Sequence, residues 1–285
     1  MRGLREVEPS FLSHWLRAPQ AWDHKYTRGV VGFVTGSQEF PGAALLGIEA
    51  ALRTGVGMVR YSGPESVAQL VLLAHPEVVI TPGPVDAWVI GSGMASPLTS
   101  TNAKRIESAL SSELACIVDA GALELTGSLG PLSILTPHSG ELATLYDRVL
   151  SAKGDEAMSD TPMSDTEKAL DIAMALQVTV LVKGSITMVV SAKGTTWQLP
   201  PATPWLATAG MGDALAGIMG ALVASWHQEL KVKPELLAEV AVAASLLHNL
   251  AALEASALSG GGPITVGDLS SMIPRVVQRI LSQPG

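Results

Sequence analysis

Short apolar runs alternate along the chain with longer stretches in which apolar residues recur every three or four positions. The runs over 30–35, 58–62, 77–81, 87–90, 114–118, 134–135, 178–182 and 188–191 predict strands, because nearly every position is apolar and glycine or proline bounds most of them. Runs without polar alternation are those of a sheet covered on both faces. The periodic stretches predict helices over 42–53, 65–75, 101–111, 141–146, 166–176, 212–225, 234–256 and 266–281, the last kinked or broken at Pro274. A short helix over 9–17 makes residues 1–23 an N-terminal helical extension, and the polar stretch 152–165, interrupted by Gly154 and Pro162, predicts a surface loop. Strand and helix alternate with no break in composition. The expectation is a single α/β domain over 1–285 with a mostly parallel central sheet.

Composition narrows the function classes. Hydrophobic residues make up 47% and charged residues 15% of the 285, which excludes disorder. A formal net charge of −8 excludes general nucleic-acid binding, so an anionic ligand must be held by local amides and a few lysines. The single cysteine, Cys116, excludes a disulfide framework and a cysteine-rich zinc site within one chain and suits a reducing cytoplasm. The N-terminal stretch is interrupted by charges and a histidine, unlike a signal peptide, and no unbroken apolar run approaches about 20 residues, so no membrane span is expected.

Chemistry concentrates where predicted strands end. In LATAGMGDALAG, residues 206–217, two glycines flank Met211 and open a helix whose first turn carries Asp213. Unpaired amides at a helix start attract a phosphate, and a carboxylate there either complements the dipole or takes a proton from an attacking hydroxyl. Upstream, GSGM at 91–94 puts Gly93 at a strand end, and Gly42, Ala43 and Ala44 at a helix start permit close approach of a ligand or of another element. DAGAL at 119–123 begins with an acid that can position a ligand or cap a helix. In TPHSGE, 136–141, His138 projects from a strand end and Glu141 lies in a first helical turn. In KGSIT, 183–187, Lys183 and Gly184 sit between two strands, where they can hold phosphates or form an ordinary hairpin. His248, inside an alanine-rich helix, reads as a satisfied core histidine.

Taken in order, PGAA, GSGM, DAGAL, LTPHSGE, KGSIT and LATAGMGDALAG resemble the ribokinase-like superfamily and, within it, the ADP-dependent NAD(P)H-hydrate dehydratases related to the C-terminal half of bifunctional YjeF-type proteins. The likeness runs from about His24 to the C-terminal helix. It implies a three-layer α/β/α sandwich without a separate lid domain, and an enzyme that restores the S-form of hydrated NADH or NADPH by phosphorylating the ring hydroxyl and eliminating phosphate. By the same resemblance Asp213 is the catalytic base and a substrate contact, and Ala43, Gly93 and His138 hold the hydrated dinucleotide. Lys183, Gly184, Ser185, Ile186, Thr187, Gly210, Met211 and Gly212 hold the adenine nucleotide, ADP or ATP, and its transferred phosphoryl group. The resemblance further implies Mg2+ bound with the nucleotide, with Glu141 contacting it through water, and a homo-oligomer such as a tetramer.

The chain departs from the family pattern at Ala209, where a second glycine is common, at Met211, where threonine or serine is common, and at 203–204, where an upstream asparagine is missing. A positive φ at 209 would cost about 1 kcal/mol. Two other readings share the same loop: a kinase of a small vitamin precursor, and a nucleotide-binding homologue without catalysis.

Overall fold

The computed structural model describes residues 4–153 and 163–282; most of the stretch predicted as a surface loop lies outside them. Nine strands form one sheet in the order β1-β9-β8-β7-β6-β5-β4-β2-β3. They are β1 (Leu4–Glu6), β2 (Val30–Val34), β3 (Met58–Tyr61), β4 (Ala87–Ile90), β5 (Ala115–Val118), β6 (Ser133–Leu135), β7 (Thr179–Val182), β8 (Met188–Val190) and β9 (Thr196–Gln198). From β3 to β7 every pairing is parallel, with Val31 opposite Ala87 and Ile117 opposite Ile134. The run β7, β8 and β9 is antiparallel, and β1 pairs parallel with β9.

Side-chain alternation sorts the strands onto two cores. Val31, Phe33, Val89, Ile117, Ile134, Leu181 and Val189 face helices α1 (Gly42–Thr54), α6 (Met211–Ser225), α8 (Leu237–Leu258) and α9 (Val266–Leu281). Val34, Ile90, Cys116, Val118, Leu135, Val180 and Val190 face α3 (Ser100–Leu110), α4 (Ser139–Lys153) and α5 (Asp165–Leu176). The result is the expected α/β/α layering. The remaining helices are α2 (Glu65–Ala74), which packs against α1, and the short α7 (His227–Val232).

Three local expectations change. Residues 77–81 form no strand: only Val79 bridges to Arg60, in a stretch where Pro82 and Pro84 follow closely. The N-terminal segment is not a helix over 9–17 but strand β1 followed by a 3-10 turn at Pro9–His14. Helix α9 runs through Pro274 unbroken. One helix, Pro234–Leu258, is long and apolar enough to cross a membrane, yet 78% of its apolar window is buried inside the fold.

Candidate active site

The chain passes from β2 to β3 on one side and then returns to β4 on the other, so strand order reverses between β2 and β4. Such a reversal opens a crevice at the carboxyl ends of the strands. Here Gly36 donates its N–H to Ser92 O at 2.7 Å, tying the two strand ends together. Gly93 has φ +69°, and a Cβ there would lie 2.4 Å from Ala43 Cβ and 2.9 Å from Phe40 O. Only glycine allows that approach. The structure thus sets Ala43, in the first turn of α1, directly against Gly93.

Beside this crevice, α6 begins. Gly210 is its N-cap with φ 91°, and a Cβ on it would meet Leu46 Cδ1 at 2.6 Å. Ala209 is not among the residues of positive φ, so the strain considered for its side chain is absent. Met211 is buried at 3% exposure, its side chain in the core, and its N–H is engaged by Thr208 O at 3.3 Å. Expected as one of the phosphate-binding amides, the Met211 N–H is therefore already in a turn. The N–H groups of Gly212 and Asp213 carry no backbone bond of this kind among the described residues. They are the ones open to an anion.

Facing that helix start is a charged network built on Asp119. This carboxylate follows β5, is 4% exposed, and accepts from Ser92 Oγ at 2.9 Å, Thr136 Oγ1 at 2.7 Å and Lys183 Nζ at 2.7 Å. Three strand ends converge on one acid. Ala120, next along, holds φ 46°, a left-handed strain of about 1 kcal/mol in a non-glycine residue beside the cluster. Lys183 also lies 3.8 Å from Glu141 Oε2. Burial works against its charge, but Asp119, Glu141 and Asp213 outweigh burial and hold its pKa above the ordinary value. A Cβ on Gly212 would lie 3.7 Å from Lys183 Nζ, so the KGSIT and GMGD segments meet at this lysine.

Asp213 is the third residue of α6. Burial, reinforced by Asp119 and opposed by Lys183, raises its pKa from 3.8 to about 6. A carboxylate so tuned is ionised at neutral pH yet accepts a proton readily, as a general base should.

His138 and Glu141 close the other wall. His138 bridges in parallel to Lys183, and Lys183 donates its N–H to Pro137 O at 2.8 Å. The His138 ring accepts from Gly140 N–H (3.1 Å) and Glu141 N–H (3.2 Å) through Nδ1, which leaves Nε2 as the protonated nitrogen. Glu141 Oε2 takes the His138 N–H at 2.9 Å, while its Oε1 makes no hydrogen bond among the described residues. Gly184, Ser185 and Ile186 form an exposed turn between β7 and β8, and Thr187 O accepts from Leu199 N at 3.0 Å. Among the described residues no group of three or more His, Cys, Asp or Glu is arranged to hold a metal ion.

Two residues here were not assigned a role from sequence. Asp119 was visible only as an acid at a strand end, and its partners come from β4, β6 and β7. His248 was read as a core residue and is one, 5% exposed, but its Nε2 lies 3.1 Å from Met211 O, at the start of α6.

A glycine-cornered strand switch, a helix start carrying one carboxylate of raised pKa and a lysine held opposite make a candidate anion-binding site on a ribokinase-like α/β/α fold. The fold agrees: a ribokinase-like superfamily protein of Enterococcus faecalis superposes with a TM-score of 0.81 at 20% identity, covering 99% of this chain and 98% of that one. The sequence model of the NAD(P)H-hydrate dehydratase family matches residues 31–275, and the chain belongs to that family. The ADP-dependent (S)-NAD(P)H-hydrate dehydratase of Xanthomonas campestris is 35% identical over 229 residues, 72% of this chain and 76% of the relative. The bifunctional NAD(P)H-hydrate repair enzyme Nnr of Mycobacterium tuberculosis is 37% identical over 220 residues, 73% of this chain but 43% of the relative. The chain thus spans about half the length of the bifunctional relatives it matches. The ADP/ATP-dependent NAD(P)H-hydrate dehydratase of Bacillus subtilis, crystallised with ATP and Mg2+, superposes with a TM-score of 0.78 at 25% identity, covering 98% of this chain and all of that one.

Proposed function

We propose that this site repairs hydrated NADH or NADPH by nucleotide-dependent dehydration of the S-form. The observation that carries the reading is Asp213: a carboxylate with a pKa of about 6, placed on a helix start beside open amides and across from Lys183. A carboxylate next to an anion hole has a purpose when it removes a proton from the group that attacks the anion.

Asp213 takes the proton of the hydroxyl on the hydrated nicotinamide ring. That oxygen attacks the terminal phosphorus of ADP or ATP, and AMP or ADP leaves with the electron pair of the broken P–O bond. The Gly212 and Asp213 amides and Lys183 stabilise charge on the transferred group. Phosphate then departs with the ring C–O pair and a proton is lost from the neighbouring ring carbon, restoring the double bond. Hydroxide would be a poor leaving group; phosphate is a good one. The Ala43–Gly93 crevice and His138 hold the dinucleotide, and the turn from Lys183 to Thr187 holds the adenine nucleotide.

The residues fit Mg2+ only as an ion carried on the nucleotide's phosphates, with the unbonded Glu141 Oε1 open to one of its waters. Bound there, it would neutralise phosphate charge. Function in the cytoplasm agrees with the free, buried thiol of Cys116, and assembly into a homo-oligomer belongs to the same reading. The test is recovery of reduced-nicotinamide absorbance when chemically hydrated NADH is mixed with protein, magnesium and either ADP or ATP, beside an Asp213→Asn control. Recovery in the wild type alone, with release of inorganic phosphate, supports the reading. A stable phosphate ester on a vitamin precursor, with no recovery, would replace it with the kinase reading.

A further inference from the structure

His248 and Asn249 are adjacent polar residues on the buried helix α8, exposed by 5% and 6%. Burial of two polar side chains is costly unless each is bonded, and both bond to the same stretch of chain. Asn249 Nδ2 donates to Pro200 O at 3.3 Å, and His248 Nε2 lies 3.1 Å from Met211 O. A carbonyl can only accept, so His248 is the tautomer that donates from Nε2. The segment 200–211 is therefore pinned at both ends by one turn of α8, and Trp205 Nε1 ties its middle to Gly261 O at 2.9 Å.

The peptide unit matters more than the loop. Met211 C=O and Gly212 N–H belong to one planar amide, so the helical bond that α6 makes at this carbonyl and the His248 bond beside it together fix the direction of the N–H. That N–H is one of the two amides left open at the start of α6, in a residue whose Cβ position lies 3.7 Å from Lys183 Nζ. A donor on the carbonyl also polarises the amide and strengthens its N–H as a donor. Among the described residues Met211 O and Asn249 are the polar groups acting on His248, and the ring stays neutral because burial lowers its pKa to about 4.

We propose that His248 is a positioning residue which, through the Met211–Gly212 peptide, aims and polarises the Gly212 N–H toward the transferred phosphoryl group. Asn249 fixes the opposite end of the same segment. The first clause of this inference, the aimed amide, rests on geometry alone; its catalytic consequence rests on the function proposed above.

The experiment compares wild type, His248→Gln, His248→Asn and His248→Leu, each with glycine labelled in 15N. Gln can reach Met211 O with an N–H donor, whereas Asn is too short and Leu has no donor. Without any substrate, the Gly212 amide proton resonance is expected to move upfield in the Asn and Leu variants and to stay near the wild-type position in Gln. With hydrated NADH, magnesium and ADP, kcat is expected to fall by about tenfold or more in Asn and Leu, the nucleotide KM staying within about twofold, and to recover in Gln. Should His248→Leu fail to fold, the Gln and Asn pair decides. An unmoved Gly212 resonance, or kcat in Asn equal to that in Gln, overturns the proposal. A wild type that shows the amide behaviour but restores no reduced cofactor leaves the aimed amide standing and refutes the function proposed above.

Discussion

Asp213→Asn is expected to stop turnover and also to make the folded protein more stable at neutral pH. Burial raises this carboxyl from 3.8 to about 6, Asp119 adding to the shift and Lys183 opposing it. At about 1.4 kcal/mol per pKa unit, the shift amounts to about 3 kcal/mol. Because the folded-state pKa is the higher one, the native protein keeps a proton that the unfolded chain has already released. The stability tied to that proton is fully present below 3.8 and is lost as pH rises through about 6. Asparagine does not ionise and undergoes no such loss. Urea unfolding of both proteins at about pH 3 and about pH 8 should therefore show the variant gaining about 3 kcal/mol on the wild type between the two conditions. In thermal unfolding the same gain corresponds to about 5 °C for a chain of 285 residues. A stability difference that does not change with pH would refute the assignment of a raised pKa to Asp213.

Other outcomes follow from the same geometry. Gly93→Ala places a methyl 2.4 Å from Ala43 Cβ; it should raise KM for the hydrated dinucleotide by tenfold or more while ADP binding, measured by calorimetry, changes little. Asp119→Asn removes a charge that raises the Asp213 pKa, so the acidic limb of the kcat/KM pH profile should move below about 6, and loss of the Lys183 partner should also lower stability by about 3 kcal/mol. Ala209→Gly, at a position without positive φ, should leave activity unchanged and cost about 0.4–1 kcal/mol of stability through the freer unfolded chain.

The parallel core was readable because strands buried on both faces leave unbroken apolar runs, as at β2, β5 and β7. Strand β1 was invisible for the opposite reason. All three of its residues are exposed, and its place is set by backbone pairing with β9, which itself carries polar Thr196 and Gln198. The glycines and Asp213 of the site were legible since a local turn and a helix start are short-range features. Asp119 was not, because its role depends on Ser92, Thr136 and Lys183 arriving from three other strand ends. The tie between His248 and Met211 spans 37 residues of sequence and likewise had no local signature.

Helices α1 and α6 touch through bare backbone: a Cβ on Gly217 would fall 2.0 Å from Gly47 O, and one on Gly47 would fall 3.1 Å from Asp213 O. Since Ala43 lies one turn before Gly47 and Asp213 one turn before Gly217, the gauge between the Ala43–Gly93 wall and the Asp213 carboxylate is set by main-chain atoms. Side chains elsewhere in the core can drift in size over generations without changing that gauge. The same contact makes position 217 unforgiving of enlargement, although it bears no reactive group.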